Sequence, residues 1–249
     1  MVYPVKPLTK IYENPDELTR AAAEESVIRI NESLARRKTC TLVLAGGNTP
    51  RPLYQLLATE YAHRIPWENV HLYWGDERFV PHDHDQSNYR MVRESLLKHI
   101  SVPSENVHPI PTEHPTVVDC AQAYEIHLQA EFRTEFPEFD LVLLGLGTDG
   151  HTASLFPGTD AILEQENWVC ASEAPDPPKE RITLTYPVLN SAKSVFFLVS
   201  GEQKAEAVRN ASQEVHDRNA CPAAFIRPER GQVIWWLDRP AAAQLSEEK

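Results

Sequence analysis

The stretch Asp140-Leu-Val-Leu-Leu-Gly-Leu-Gly-Thr-Asp-Gly-His151 joins a short apolar run to a turn of glycine and polar residues. A short run without polar alternation is typical of a strand buried on both faces. Three similar runs are each followed by turn residues and then by a segment with helical spacing: Thr41–Leu44, Val70–Trp74 and Val195–Val199. This βαβ rhythm predicts a Rossmann-like α/β fold, with a mainly parallel sheet and helices on both faces.

Five segments have apolar residues three and four positions apart, which is typical of amphipathic helices. They are Asp16–Arg36, Pro50–His63, Tyr89–His99, Val117–Arg133 and Glu202–Ala211. A further strand is expected at Val233–Leu237. The 20 prolines concentrate between these elements, as is typical of loops, and the sequence has no internal repeat. We therefore expect residues 1–249 to form a single domain.

Composition disfavours several classes of protein. The chain has 24 Lys and Arg against 36 Asp and Glu, a formal net charge of −12, which disfavours binding to nucleic acid or to an anionic membrane. The apolar runs are too short to span a bilayer, and residues 1–14 lack the apolar stretch of a secretory signal. We expect a cytoplasmic protein, a monomer or weak homo-oligomer, that binds any anionic ligand in a local pocket.

Metal sites and redox motifs are not indicated. The four cysteines are scattered and form no C-x-x-C pair: Cys40, Cys120, Cys170 and Cys221. The run His82-Asp83-His84-Asp85 raises the alternative of metal ligands. Because no third cluster has the spacing of a metal motif, we interpret the run as a solvated polar loop and expect no required metal.

A glycine-rich loop, Ala45-Gly46-Gly47-Asn48-Thr49-Pro50, follows the first buried strand. Its glycines let the backbone pass close to a ligand, Thr49 is suited to cap a helix, and Pro50 fits the first helical position. Such a helix N-terminus offers free N–H groups and partial positive charge to a phosphate. The alternative is a tight turn between strand and helix that binds nothing.

The segment from Gly145 to Gly150 formally matches the Gly-x-Gly-x-x-Gly dinucleotide fingerprint. A nicotinamide site is disfavoured, because Pro157-Gly158 interrupts the helix that should follow. Asp149 and His151 lie at the carboxyl end of a buried strand, where α/β sheets bind ligands. A carboxylate orients an imidazole and raises its basicity, so His151 is a candidate base for activating water. A purely structural hydrogen-bonded pair is the alternative.

Three charged residues follow the second buried strand, in Gly75-Asp76-Glu77-Arg78. Because that strand is almost wholly apolar, these charges should lie at its carboxyl end, near the other two loops. The guanidinium of Arg78 stays charged and presents several donors, which suits it to stabilise an oxyanion. Ordinary surface ion pairs are the alternative.

Four motifs occur in order along the chain. They are the loop at 45–50, Gly75-Asp-Glu-Arg78 with Ser87-Asn-Tyr-Arg90 after it, Gly145-Leu-Gly-Thr-Asp-Gly-His-Thr-Ala-Ser-Leu-Phe-Pro157, and Arg181-Ile-Thr-Leu-Thr185. Together they closely resemble the 6-phosphogluconolactonase family, over almost the whole chain. The first loop departs slightly from the family's pattern, with Ala45 and Asn48 where serine is common.

The resemblance implies a glucosamine-6-phosphate deaminase-type fold and the cofactor-free hydrolysis of 6-phospho-D-glucono-1,5-lactone in the pentose phosphate pathway. The family's proposed base falls on His151, which we expect Asp149 to orient while Arg78 stabilises the carbonyl oxyanion. We expect seven residues to bind the phosphosugar lactone: Gly46, Gly47, Asn48, Thr49, Asp76, Arg181 and Lys204. Without the resemblance, Arg181 and Lys204 would be ordinary solvated charges.

Two alternative functions remain open. Deaminases with the same fold carry a glutamate five residues after the corresponding histidine and use it in sugar-ring opening. Here that position is Phe156, so lactone hydrolysis is favoured over release of an amine. A non-catalytic phosphosugar-binding protein would lack a base or a group that polarises the carbonyl, and here neither His151 nor Arg78 is missing.

Overall fold

The computed structural model describes residues 6–213 and 217–245, which contain ten strands and six α-helices. The strands are β1 Leu8–Tyr12, β2 Cys40–Leu44, β3 Val70–Trp74, β4 Asp76–Arg78, β5 Val107–His108, β6 Leu141–Leu144, β7 Val169–Glu173, β8 Glu180–Leu184, β9 Ser194–Val199 and β10 Gln232–Asp238. The helices are α1 Pro15–Arg37, α2 Pro50–Ala58, α3 Asn88–Ser95, α4 Val117–Glu131, α5 Tyr186–Asn190 and α6 Ala205–Ser212.

The strands form two sheets in this part of the chain. Seven make a sheet in the order β1-β10-β9-β6-β2-β3-β5, in which every pairing is parallel. Three make a small antiparallel sheet in the order β4-β8-β7. The mainly parallel α/β fold predicted from the sequence is therefore confirmed, while the small antiparallel sheet was not predicted.

The middle of the large sheet is covered on both faces. Every residue of β6 and of β9 is buried, and successive side chains of a strand point to opposite faces. The apolar pattern that predicted strands buried on both faces therefore reflects their central place in the sheet. Buried side chains of the small sheet, including Ile182 and Leu184, belong to the same apolar cluster.

All five predicted helices are present; the bounds of α1 and α4 agree within two residues, and those of the other three differ by more. Helix α2 ends at Ala58 rather than His63, and the N–H of Tyr61 closes it by donating to Leu56 O (3.1 Å). Helix α3 ends at Ser95 and is followed by a 3-10 turn. Helix α6 begins at Ala205, after another 3-10 turn.

The turn predicted at Gly75–Arg78 is instead mostly strand. Residues Asp76–Arg78 pair with Arg181–Thr183 of β8, so β4 leaves the large sheet and joins the small one. Gly75 links the two sheets, since its N–H donates to Leu44 O (3.0 Å) and its carbonyl accepts from Leu184 N (2.8 Å). The charged residues are therefore held in the ladder with β8, and Gly75 anchors them to the large sheet.

The order of strands places a crevice at one edge of the large sheet. From β2 the chain proceeds outward through β3 and β5, and from β6 it proceeds the other way through β9 and β10. Such a reversal separates the loops that follow the two central strands, and α/β folds bind ligands there. The loops that begin at residues 45, 75, 145 and 200 follow the carboxyl ends of the central strands β2, β3, β6 and β9, respectively.

No helix within residues 6–213 and 217–245 is both long enough and apolar enough to cross a membrane.

Candidate active site

A cleft of about 380 Å³ opens at the carboxyl edge of the large sheet. Of the site residues predicted from the sequence, it is lined by Gly46, Gly47, Asn48, Thr49, Asp76, Arg78, His151 and Lys204. Asp149 and Arg181 do not line it. A groove of about 420 Å³ lies elsewhere, between β10 and α6, and none of the predicted site residues lines it. The charged cleft is therefore the candidate active site.

His151 and Asp149 form a hydrogen-bonded pair at this cleft. His151 Nδ1 lies 2.5 Å from Asp149 Oδ1, which also accepts from His151 N at 3.2 Å. The turn between them is closed by bonds from Gly147 N to His151 O (2.8 Å) and from Gly150 N to Gly147 O (3.2 Å). Because the carboxylate faces Nδ1, the other ring nitrogen, Nε2, is the one left for a ligand.

The electrostatics of this pair favour an ionised carboxylate. Burial acts to raise the pKa of Asp149, but the hydrogen bond and charge of His151 outweigh it, so the pKa lies below its usual value. An ionised Asp149 accepts the Nδ1 proton and stabilises positive charge on the ring. The arrangement suits an imidazole that takes up a proton at Nε2.

Close packing around the imidazole fixes its position. A Cβ atom on Gly147 would lie 2.0 Å from His151 Nδ1, so only glycine fits there. On the other side, the ring of Phe156 lies 4.3 Å from the imidazole, between centroids. Phe156 is 5 % exposed.

The loop at 45–50 packs tightly and ends at a helix N-terminus. A Cβ atom on Gly46 would come within 1.9 Å of Asn88 Oδ1, and Gly47 has a φ of +91°. Helix α2 starts at Pro50, and Thr49 occupies the N-cap position but makes no capping side-chain bond. The predicted side-chain cap is therefore wrong, because the backbone of Thr49 is already helical and does not present the hydroxyl. The first turn of α2 then offers the N–H of Arg51 to an anion, because Pro50 and Pro52 have no N–H.

Asp76 and Arg78 reach the cleft from β4. Asp76 is 8 % exposed and accepts from Ser154 Oγ (2.7 Å) and Asn88 Nδ2 (3.3 Å). The Nη1 atom of Arg78 donates to Gln86 O (2.7 Å). The structure therefore brings Arg78 to the same cleft as His151, as its position after a buried strand predicted.

Glu77, between them, is buried and was not predicted as a site residue. Its carboxylate accepts from three backbone N–H groups and from Ser87 Oγ (3.1 Å). Burial raises the pKa of Glu77 above its usual value, although the three backbone donors act in the opposite direction. In the sequence, Glu77 is one acidic residue between two other charged residues. That pattern does not predict hydrogen bonds from backbone N–H groups 11 and 12 positions away.

Arg181 and Lys204 occupy different surroundings. Arg181 lies opposite Arg78 in the ladder, is 7 % exposed, and donates to Pro178 O instead of lining the cleft. Burial and the charge of Arg78 lower the pKa of Arg181, while Asp76 and Glu77 act to raise it. Lys204 faces the cleft, and burial lowers its pKa against the attraction of Asp149.

Three further polar side chains that line the cleft were not predicted from the sequence. Asn88 lies at the start of α3, and Ser200 and Gln203 follow β9 beside Lys204. Ser200 Oγ donates to Asp238 Oδ2 (2.6 Å), which anchors that loop to β10. Ser200 and Gln203 come just after the buried strand β9, and that position could have predicted them as cleft residues. Asn88 is 14 positions after the end of β3, so its position in the sequence does not predict a place at the cleft.

The polar loop at 82–85 makes contacts of its own. His82 Nε2 lies 2.8 Å from Ile110 O, and His84 Nδ1 accepts from Gln86 N (3.1 Å). Arg90 binds both the carbonyl of Asp83 and the carboxylate of Asp85. Among the described residues, no group of three or more His, Cys, Asp or Glu side chains could hold a metal ion.

Comparison with known proteins gives consistent matches over nearly the whole chain. A family model described as "Glucosamine-6-phosphate isomerases/6-phosphogluconolactonase" matches residues 13–235. A 6-phosphogluconolactonase of Synechocystis is 44 % identical over 220 residues, covering 87 % of this chain and 89 % of that protein. A crystal structure of 6-phosphogluconolactonase from Leishmania guyanensis has a TM-score of 0.86 at 31 % identity, covering 97 % of this chain and 100 % of the other.

A monomeric glucosamine-6-phosphate deaminase shares the fold. Its TM-score is 0.77 at 22 % identity, with 95 % of this chain and 99 % of the other covered. The deaminase-type architecture expected from the sequence is thereby confirmed.

Proposed function

Because the chain belongs to the family of glucosamine-6-phosphate isomerases and 6-phosphogluconolactonases, we propose that it hydrolyses 6-phospho-D-glucono-1,5-lactone to 6-phospho-D-gluconate. It is an enzyme of the lactonase type, a carboxylic ester hydrolase, since relatives of that name match it over most of both chains. The reaction belongs to the oxidative pentose phosphate pathway.

The Asp149–His151 pair at the cleft is the observation that carries this proposal. Lactone hydrolysis needs a base for water, a donor for the carbonyl oxygen and a site for the phosphate. The cleft has His151 for the first, Arg78 for the second, and both Lys204 and the α2 N-terminus for the third.

In the proposed mechanism, His151 Nε2 takes a proton from a water molecule whose oxygen attacks the lactone carbonyl carbon. The carbonyl oxygen gains negative charge, which Arg78 stabilises in the tetrahedral intermediate. The bond from that carbon to the ring oxygen then breaks, and the ring oxygen takes the proton back from His151. Asp149 keeps Nδ1 protonated throughout, so that Nε2 is the basic nitrogen.

Phosphate binding is assigned to the loop that precedes α2 and to Lys204. The backbone donors of Gly46–Thr49 and the helix dipole favour an anion even in a chain of net charge −12. Asp76 and Asn48 lie in the same cleft and are assigned to the sugar hydroxyls. Arg181 is buried next to Arg78 and does not line the cleft. We assign it no direct contact with the substrate; its charge adds to the positive potential that attracts the phosphate.

A deaminase is the second candidate function, and Phe156 argues against it. The aromatic ring packs on His151 where a deaminase would carry a carboxylate. A non-catalytic phosphosugar-binding protein would leave the Asp149–His151 pair without a purpose at the cleft.

The reaction is tested by adding purified protein to freshly generated lactone and recording proton release above the spontaneous rate, beside ammonia release from glucosamine-6-phosphate. We expect lactone turnover without ammonia. Ammonia without lactone turnover would establish the deaminase, and binding of 6-phosphogluconate with neither activity would establish the non-catalytic protein. A cytoplasmic location, a monomeric or weakly oligomeric state and a lack of nucleic-acid binding remain predictions from composition.

A further inference from the structure

One carboxylate beside the cleft is enclosed by donors but does not line the cleft itself. Glu77 is 1 % exposed. It accepts from the backbone N–H groups of Arg78 (2.8 Å), Asn88 (2.7 Å) and Tyr89 (2.8 Å). The hydroxyl of Ser87 is a fourth donor, at 3.1 Å. Glu77 therefore ties strand β4 to the first turn of helix α3.

The segment that Glu77 holds also holds the side chain of Arg78. Arg78 Nη1 donates to Gln86 O (2.7 Å), one residue before Ser87. Asn88 Nδ2 in turn donates to Asp76 O (2.9 Å). The guanidinium of Arg78 is thus anchored to residues 86–89, a segment that the Glu77 carboxylate ties to β4.

We propose that Glu77 is the positioning residue that fixes the Arg78 guanidinium at the cleft, by holding residues 86–89 against β4. This rests on the oxyanion role proposed for Arg78. A carboxylate suits the place because it only accepts hydrogen bonds and has room for four donors. A glutamine of the same shape would turn N–H groups towards donors and would loosen the segment. Misplacing a catalytic group by about 1 Å can cost about 10²-fold in rate.

The test compares Glu77→Gln with Glu94→Gln in the full-length chain. Glu94 is an exposed residue of α3, the helix whose first turn Glu77 contacts, so its variant makes the same chemical change away from the cleft. We expect Glu77→Gln to lower kcat by about 10- to 100-fold with a smaller change in KM, because the oxyanion contact forms in the transition state. Glu94→Gln should retain the wild-type kcat.

A double-mutant cycle with Arg78→Ala separates positioning from general structure. If Glu77 acts through Arg78, adding Glu77→Gln to Arg78→Ala should lower kcat little further. Multiplied losses in the double variant, or a wild-type kcat for Glu77→Gln beside an impaired Arg78→Ala, would overturn the positioning role alone. A wild-type kcat for Arg78→Ala would instead overturn the oxyanion assignment, and the positioning role with it.

Ser87→Ala keeps the idea testable if Glu77→Gln does not fold. It removes one of the four donors, and also the hydroxyl that accepts from Arg90 N at the start of α3 (3.2 Å). We expect kcat to fall about 3- to 10-fold in the wild type, in keeping with one modest hydrogen bond, and to change little in Arg78→Ala. An equal fold-loss in both backgrounds would contradict the proposal.

Discussion

At the scale of single residues, the candidate base depends on a glycine two positions before the aspartate. Gly147 leaves room for both side chains of the pair, since an added Cβ would lie 2.0 Å from His151 Nδ1 and 2.4 Å from Asp149 Oδ1. The glycines of this segment resemble a nucleotide fingerprint, but in the structure Gly147 makes space for the imidazole, while Gly150 has a φ of +82° and faces Cys221.

Replacing Gly147 by alanine should displace the imidazole and lower kcat by about 10²-fold, because a shift of about 1 Å is enough to cost that much. Steady-state kinetics on the lactone would measure it, with circular dichroism to check the fold. Gly145→Ala is the matched control, since a Cβ there meets no atom within 4 Å, and it should retain most of the turnover. Equal kcat values in the two variants would contradict the close packing.

Lys204→Ala should weaken substrate binding more than it slows the chemical step. A charge-assisted hydrogen bond to phosphate contributes about 1.5–3 kcal/mol, so KM should rise about 10- to 100-fold. The exposed Lys179, paired with Glu173 at 3.8 Å, provides the control Lys179→Ala. An unchanged KM in Lys204→Ala would remove this lysine from the phosphate site.

Contacts between residues close in the sequence could be predicted, and contacts between distant residues could not. His151 and Asp149 are two positions apart, so any turn after the strand brings them close. Lys204 and Arg181 were equal candidates as isolated basic residues, and only the structure distinguishes the lysine at the cleft from the arginine buried behind it. The partners of Glu77 required knowing that α3 begins against β4.

At the scale of secondary-structure elements, predictability followed burial. Strands β2, β3, β6 and β9 have almost only apolar residues, so their pattern is plain in the sequence. The edge strand β1 alternates exposed and partly buried residues, and β5 is two residues long, so neither gives a clear pattern. β4 and β8 form an antiparallel pair only because two segments about 100 positions apart meet, which no local pattern records.

One contact between elements joins three histidines away from the cleft, from β3, β5 and α4. His108 Nε2 lies 3.2 Å from His71 Nδ1, and His108 Nδ1 lies 2.8 Å from His127 Nε2. Tyr73 stacks on His108 with 4.4 Å between centroids. Burial, and then the charges of His127 and His71, lower the pKa of His108 to about 4.

The cluster of His71, His108 and His127 should lower the free energy of unfolding in mild acid. Between about pH 6.5, the usual histidine value, and pH 4, the unfolded chain binds a proton at His108 that the folded chain does not, so stability falls as pH falls. Each pKa unit is worth about 1.4 kcal/mol at most, and partial solvent screening reduces it, so we expect a loss of about 1–2 kcal/mol from pH 7 to pH 5.

Urea unfolding at pH 7 and pH 5 would measure the effect in wild type, His108→Asn and the exposed control His63→Asn. The difference between the two pH values should shrink in His108→Asn and stay unchanged in His63→Asn. Taking this difference removes the acid sensitivity that all three proteins share. If the loss of stability between pH 7 and pH 5 were as large in His108→Asn as in the wild type, His108 would not be its cause.

At the scale of the whole molecule, the fold gathers cations into one place on an acidic protein. The chain carries a net charge of −12, yet Arg78 and Lys204 reach the same cleft from different sheets and loops. Parallel strands make this possible, because their carboxyl ends meet at one edge where the order of strands reverses. For Arg78 this convergence was predicted from its position after a buried strand and for Lys204 from the family resemblance, while the pairing of β4 with β8 in the small sheet was not predicted.

The turnover of purified His151→Asn on the freshly generated lactone tests the proposed chemistry most directly. Asparagine keeps a polar side chain at the cleft but cannot accept the proton from water, and general base catalysis contributes about 10²–10⁴-fold. We expect kcat to fall by about that factor, with an unchanged urea midpoint and with His63→Asn at the wild-type rate. A wild-type kcat in folded His151→Asn would contradict the assignment of His151 as the base.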